Sequence, residues 1–449
     1  MAQRSAPTMA RKTLIAAMLG TLTEWYDFAV YGYMATVIAT VFFPEGTSST
    51  VALLATLAIY GVAFIARPIG SLLFGSLGDR IGRRTTLAIV VTGMGIATLL
   101  TGLLPTYATA GIAAPLLLVF LRMCQGLFAG GELTGASSLV FEWAPARRRG
   151  FWVSLVPTTT AVAFLLAVGV VLLVESVTGP EAWASWGWRI PFLFGGVISM
   201  VGLYTRAKLD DSPEFEDLEQ SEAVEQNPLR GALRSCRRQI IAVGGGVAIY
   251  AVAYYVFAGL MPTYLKETVK AEPSVALLSN LFAFVVLALA VPTCGALCDA
   301  YGRRPVLVAG VVGTLALFVP GFLLAGTGTL LGTTAGQVLL VLPIAALNAS
   351  LITTVVEIFP THVRVSASSV SWNLAQTIFG GTAPLVGALL VSTTGLPLAP
   401  ALYVLAIAVV GSVVMLVLRL PETRDSALAA AAEQTDTAST EPASSARPV

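Results

Sequence analysis

Charge is scarce in this chain. Of 449 residues only 11 % are Asp, Glu, Lys or Arg, while 56 % are apolar. A soluble domain carries roughly 25 % charged residues, so a water-soluble globule of this length is excluded for want of polar surface. There is one histidine, His362, and it falls in a loop, which excludes a histidine proton relay inside an apolar span. Of the four cysteines, Cys124, Cys236, Cys294 and Cys298, three sit in apolar stretches. They read as small buried hydrophobes and not as a disulfide scaffold. A net charge of +1 offers no bulk attraction for nucleic acid. No nucleophile–base set, nucleotide loop or metal-ligand cluster occurs, so neither an enzyme nor a cofactor is expected. The basic N-terminus (Arg4, Arg11, Lys12) enters a long apolar run without a small-residue cleavage pattern, so no cleaved leader is expected.

Long apolar runs are abundant instead. A membrane helix needs ~20 mostly apolar residues. Twelve such spans are predicted, at 13–43, 51–77, 86–106, 111–140, 152–174, 189–207, 239–265, 275–298, 305–325, 330–357, 366–393 and 397–419. Turn signals fill the gaps, among them Pro44-Glu45-Gly46, Gly179-Pro180 and Gly395-Leu396-Pro397. The expected fold is an all-α membrane protein of twelve transmembrane helices in two pseudo-symmetric six-helix bundles.

The symmetry is written in charged strings that occur once per half. Gly75-x-x-x-Asp79-Arg80-x-Gly82-Arg83-Arg84 returns as Gly295-x-x-x-Asp299-x-x-Gly302-Arg303-Arg304. Glu142-x-x-Pro145-x-x-x-Arg149 returns as Glu357-x-x-Pro360-x-x-x-Arg364. A weaker pair, Asp211-Ser212-Pro213-Glu214 and Leu420-Pro421-Glu422-Thr423, closes each half. Internal repeats in an apolar chain point to a transporter built of two related bundles around a central site. The predicted organisation is a bundle over 1–207, a connector over 208–238, a second bundle over 239–425 and a disordered Ala/Ser/Thr/Pro-rich tail over 426–449. Every arginine-rich loop falls on one side of a twelve-span chain, the side of both termini, so both termini and the connector are expected to be cytoplasmic. Glycine, aspartate and arginine at these helix ends suit a cytoplasmic gate, with Asp79 able to reach Arg149. The alternative is a plain positive-inside anchor.

Charges within spans are costly, ~2.5–3.5 kcal/mol each on insertion scales, and each is a functional hypothesis. Glu24, Asp27 and Tyr31 share one face of the first helix. Arg122 and Gln125 share a face of the fourth, and Arg122 falls at a depth similar to Asp27. A carboxylate and a guanidinium facing one cavity can form a proton-linked switch, with a permanent structural pair as the alternative. The proton carrier is expected among Asp27, Glu24 and Glu132. Arg122 is expected to meet a substrate carboxylate when Asp27 is protonated. Arg67, a further substrate-binding candidate with Tyr31 and Gln125, lies toward the cytoplasmic half of the second helix. Arg189 follows tryptophans at the outer face, as either an anchor or a substrate-attracting group. The C-terminal half offers Tyr250, Tyr254, Tyr255, Asn280, Asn348, Trp372, Asn373 and Gln376, read as hydrogen-bonding and aromatic walls or as interhelical contacts.

The duplicated Gly-x-x-x-Asp-Arg-x-Gly-Arg-Arg string resembles the signature loop of the major facilitator superfamily. Glu24-Trp25-Tyr26-Asp27-Phe28, Arg67-Pro68-Ile69-Gly70, Gln125-Gly126, Gly130-Gly131-Glu132 and Trp186-Gly187-Trp188-Arg189-Ile190-Pro191-Phe192 narrow the resemblance to the metabolite:proton symporters. That resemblance implies a monomeric, multi-pass transporter of the cell membrane, driven by the proton gradient. Its partners would be a small-molecule substrate, protons and lipid. Among substrates, a small organic acid leads, on the strength of in-span arginines and the absence of in-span lysine. An osmolyte zwitterion of the proline/betaine type comes second, because osmoregulated relatives carry a long C-terminal coiled coil that is not seen here. A drug:proton antiporter comes last, since the fifth span lacks the Gly-Pro-containing string of that group.

Overall fold

The computed structural model describes residues 6–81, 83–130, 132–207, 234, 236–359 and 364–424. Most of the connector and the tail predicted above lie outside them. Every described element is a helix. Twelve membrane-crossing segments follow in order, which we label α1–α12. The first, α1 (Ala6–Tyr33), is extended by Ala35–Val41, and α2 (Ser49–Ile81) and α3 (Arg83–Leu103) follow. Then come α4 (Ala113–Ala129, resumed as Glu132–Trp143), α5 (Arg149–Ala182) and α6 (Arg189–Ala207). The second half repeats the plan with α7 (Arg237–Tyr255, a π-turn over Val256–Leu260, then Met261–Glu267), α8 (Pro273–Tyr301) and α9 (Arg303–Ala325). It ends with α10 (Leu330–Glu357), α11 (Arg364–Ala375, a π-turn over Gln376–Gly380, then Ala383–Thr394) and α12 (Ala399–Val417).

Among the described residues, nine helices are long and apolar enough to cross a membrane. The other three segments fall short for reasons visible in sequence. Helix α1 carries Glu24 and Asp27, and the apolar parts of α3 and α6 run only over Ala88–Leu103 and Arg189–Tyr204. Predicted and observed spans coincide closely, except that α5 runs well past residue 174. It continues to Gly179, whose φ of +75° turns the chain before Pro180.

Burial sorts the helices into inner and outer positions. In α7 and α10, 83 % of the central stretch is buried, against 28 % in α12, whose Val409, Val410, Val413 and Leu416 face outward. The outward apolar side chains are what a lipid-facing surface requires.

The halves meet along two related seams, α2 against α11 and α5 against α8. An offset of six helices turns one pair into the other, so the internal repeat is a pseudo-two-fold relation. Glycine makes both seams close. A Cβ on Gly61 would stand 2.7 Å from the Gly381 carbonyl, and one on Gly150 would stand 2.7 Å from the Gly295 carbonyl.

Candidate functional site

The central charges of the N-terminal half form two buried ion pairs. Arg122 Nη1 lies 2.9 Å from Asp27 Oδ2, as helix phase and depth predict. Asp27 Oδ1 also accepts from Thr98 Oγ1 (2.9 Å) and Gln125 Nε2 (2.7 Å), so α3 and α4 both hold it. The Arg122 guanidinium stacks on the Tyr31 ring, 4.0 Å from its centroid. Tyr31 in turn donates to the Thr56 carbonyl at 3.1 Å. Asp27 and Arg122 are essentially without solvent exposure.

One turn nearer the Arg-rich end, Arg67 Nη2 lies 2.7 Å from Glu24 Oε1. The guanidinium rests against Phe64, Phe28 and Trp25, at 4.5, 4.7 and 5.5 Å from their centroids. This second pair joins α1 to α2 and is not foreseeable from the sequence alone; α2 in turn packs close on α4. Glycine permits that approach: a methyl on Gly126 would overlap the Ala63 carbonyl, and one on Gly70 would overlap the Leu127 carbonyl. The Arg67-Pro68-Ile69-Gly70 and Gln125-Gly126 strings therefore serve one close helix crossing.

The C-terminal half supplies aromatic rings. Trp25 meets Tyr254 edge-on at 6.0 Å and Tyr255 stacked at 6.1 Å, while Phe64 meets Tyr255 at 5.0 Å. Tyr250 packs on Trp372 at 5.6 Å. Tyr250, Tyr254, Tyr255 and Trp372, all expected as wall residues of the C-terminal half, thus gather here, and Tyr255 faces the Arg67 pair. The π-turns of α7 and α11 begin immediately after Tyr255 and at Gln376. Such turns mark functional positions in helices and have no single-sequence signature here. Several buried polar atoms in this region lack partners among the described residues: the hydroxyls of Tyr60, Tyr254 and Tyr255, the indole N–H of Trp25 and Trp372, and the Gln376 amide.

Other candidates fall elsewhere. Asn373 Nδ2 donates across the halves to the Gly130 carbonyl at 2.7 Å, the interhelical role weighed for it. Asn348 is buried in α10, with Oδ1 unpartnered. Glu132 is buried at the start of the resumed α4. Arg189 is not in the site. It donates to the carbonyls of Gly102 (2.9 Å) and Leu104 (2.6 Å), closing the end of α3, and lies over Trp188. Its substrate-attracting role is thereby corrected to a structural one, because its donors are used on the last carbonyls of that helix.

At the Arg-rich end the second copy of the duplicated strings forms a lock. Asp299 accepts from the backbone N–H of Gly150 and Phe151, both at 2.8 Å, at the start of α5 in the other half. Arg303 forks onto Glu357 through Nε (3.0 Å) and Nη2 (2.7 Å) and reaches Asp299 at 3.3 Å. Gly302 takes φ +103° between α8 and α9. Glu422 accepts from the N–H groups of Arg303 (2.9 Å), Arg304 (2.8 Å) and Arg424 (3.0 Å). Burial raises the Glu422 carboxyl, but these backbone donors outweigh it and hold it below the ordinary range. Of the first copy, Gly82 and the side chains of Asp79, Arg80, Arg83, Arg84 and Glu142 lie outside the described residues, as do Pro360 and the Arg364 side chain. The backbone carries Gly75 and Asp79 within α2, and Arg149 lies 4.3 Å from the Phe141 ring. The expected Asp79–Arg149 pair therefore falls outside what the structure describes.

At the opposite end the halves are joined by a buried polar chain. Tyr33 donates to Asn280 Oδ1 (2.6 Å), Asn280 to Gln337 Oε1 (2.9 Å), and Gln337 to Ser279 Oγ (2.7 Å). Phe164 stacks on Phe284 nearby at 4.7 Å. Contacts between the halves thus close the molecule on both sides of the central charges.

Comparison with known proteins agrees with this architecture. Residues 12–231 match the family described as sugar (and other) transporter, and residues 243–447 match the major facilitator superfamily. The proline/betaine transporter of Salmonella typhimurium is 37 % identical over 410 residues, covering 89 % of this chain and 82 % of that protein. The ectoine/proline transporter of Corynebacterium glutamicum is 35 % identical over 432 residues, covering 91 % and 84 %. Among solved structures, a proton:xylose symporter bound to 6-bromo-6-deoxy-D-glucose superposes with TM-score 0.73 at 20 % identity, over 93 % of this chain and 97 % of that one. A partially occluded, inward-open form of the Escherichia coli xylose transporter gives 0.71 at 21 % identity, over 93 % and 99 %.

Proposed function

The chain belongs to the major facilitator superfamily of membrane transporters, and within that fold we propose that it is a proton-coupled symporter of a compact zwitterionic osmolyte. One observation carries the reading. The central charges come as two balanced pairs, Glu24–Arg67 and Asp27–Arg122, so the site is neutral as a whole. While Asp27 is ionised no cation is left over for an organic anion, because Arg122 has Asp27 beside it. A ligand with zero net charge needs none. The aromatic rings around Arg67 suit the cationic end of such a ligand. The relatives, proline/betaine and ectoine/proline transporters, point the same way, and the organic-acid expectation gives way to its alternative.

Asp27 is the proton site in this reading. Protonation removes the charge that Arg122 pairs with and loosens a knot that joins α1, α3 and α4. The bundles then rock about the α2–α11 and α5–α8 seams, opening one end as the other closes. Both termini and the connector lie on the cytoplasmic side of the plasma membrane, on the argument from arginine distribution. The test is uptake of radiolabelled glycine betaine and of a dicarboxylate into vesicles reconstituted with the purified protein, with and without an inward proton gradient. Gradient-driven accumulation of betaine alone is expected. Accumulation of the dicarboxylate alone overturns the reading.

A further inference from the structure

The two ion pairs differ in what surrounds them. Asp27–Arg122 lies within its own half: Thr98 and Gln125 hold the carboxylate, the guanidinium stacks on Tyr31 with Nε and Nη2 unpartnered, and no residue of the other half hydrogen-bonds to it among the described residues. Glu24–Arg67 lies at the seam. Its guanidinium rests on Trp25 and Phe64, and these two rings are covered from the other half by Tyr254 and Tyr255. Tyr254 and Tyr255 are at most 1 % exposed, and neither hydroxyl has a partner. A buried polar group left unpaired costs ~1–3 kcal/mol, so a pair of them beside an ion pair marks a place where a ligand supplies acceptors.

We propose that the substrate binds by ion-pair exchange at Glu24–Arg67, its carboxylate taking the fork of Arg67 and its ammonium taking Glu24 and the ring faces. This rests on the zwitterion reading above. Arg67 offers a carboxylate a planar two-point contact. The rings that now hold its guanidinium can instead hold an alkylated ammonium, which has few or no N–H groups to donate and binds through its diffuse charge. One buried pair becomes two, and no net charge enters the site. A lone anion would leave Glu24 uncompensated and a lone cation would leave Arg67 uncompensated, each a large penalty in a dry interior. Selectivity for ligands carrying both charges follows from the pair itself. The assignment also separates two tasks: Glu24 faces the substrate's cation, and Asp27 is left to the proton.

The test compares three ligands of nearly the same shape on the full chain in lipid nanodiscs, by equilibrium binding of radiolabelled glycine betaine, choline (cation only) and 3,3-dimethylbutyrate (anion only). The wild type should prefer betaine to each of the others by about tenfold or more, the value of one charge-assisted contact. Arg67→Gln should reverse the order in favour of choline, and Glu24→Gln should reverse it in favour of 3,3-dimethylbutyrate. If the single variants do not fold, Glu24→Gln/Arg67→Gln leaves no unpaired charge and should lose the preference for betaine. Variants that keep the wild-type order of ligands overturn the exchange while leaving the zwitterion reading intact. A wild type that binds 3,3-dimethylbutyrate as tightly as betaine overturns the zwitterion reading, and the exchange with it.

Discussion

The two halves share a plan and a set of duplicated strings, yet they spend their charges in different places. In the N-terminal half the buried charges sit at mid-depth, as Glu24–Arg67 and Asp27–Arg122. In the C-terminal half the buried ion pairs seen among the described residues, Arg303 with Glu357 and Asp299, gather at the Arg-rich end. The middle of that half is filled by Tyr250, Tyr254, Tyr255 and Trp372. Both halves therefore bury ion pairs, but only the first has them where a substrate and a proton would pass. Duplication preserved the charged strings and the scaffold, while the centre diverged into a charged wall facing an aromatic one.

If that division is correct, the largest effect belongs to Asp27. Asp27→Asn should abolish proton-driven accumulation of substrate while leaving exchange of labelled for unlabelled substrate measurable, since exchange moves no net proton. It also leaves Arg122 buried beside a neutral amide, and breaking a buried pair costs ~3–5 kcal/mol. The thermal midpoint should fall, and Asp27→Asn/Arg122→Gln should recover much of it. Normal uphill uptake by Asp27→Asn would move the proton site to Glu24 or Glu132.

How far the sequence reaches can be judged at these same residues. The Asp27–Arg122 pair is legible because periodicity fixes which face each residue occupies and a fixed rise fixes its depth. The span boundaries and the repeat are legible for the same local reasons. Glu24–Arg67 is not, because it depends on which face α2 turns to α1 and on how close α2 sits to its neighbours. The glycines that set that distance are visible, but which helix they face is not. Thr98 escapes notice as one hydroxyl in an apolar run, and the sequence does not say which of the adjacent Tyr254 and Tyr255 faces the Arg67 pair. The signal available for Arg189 was the end of α3, whose last carbonyls needed donors.

The C-terminal lock gives the next test. Asp299 accepts two backbone N–H groups from α5 across the halves, and charge-assisted bonds of this kind are worth ~1.5–3 kcal/mol each. Asp299→Asn should shift the molecule toward the state open at the Arg-rich end, read as faster maleimide labelling of a cysteine introduced at Ser154. By the repeat, Asp79 is the sequence counterpart of Asp299, so Asp79→Asn should act in the same direction. If Asp79→Asn changes nothing, the two copies do not form equivalent locks.

Glu422 should give a smaller effect with a defined pH sense. Its carboxyl is held below the ordinary range in the folded protein. The stabilisation is therefore present above the unfolded value of about 4.3 and is lost as pH falls through the lower folded value. The difference in thermal midpoint between wild type and Glu422→Gln should be constant near neutrality and close below about pH 4. A difference that instead grows on acidification would show that the carboxylate is not what caps the start of α9.

The smallest effect is expected at the opposite end, where the halves meet through neutral groups. Tyr33→Phe removes one hydroxyl and leaves Asn280 its bond to Gln337. A neutral hydrogen bond contributes ~0.5–1.5 kcal/mol net, so opening at this end should become about two- to tenfold more populated. The ring itself keeps its packing against Phe164, 6.1 Å between centroids, so stability should hardly change. Labelling of a cysteine at Val37, beside this contact, by a membrane-impermeant maleimide measures the shift. Asn280→Ala strands both Tyr33 and Gln337 and should exceed Tyr33→Phe. Equal labelling rates in all three proteins would mean that the Phe164–Phe284 stack, and not the polar chain, holds this end closed.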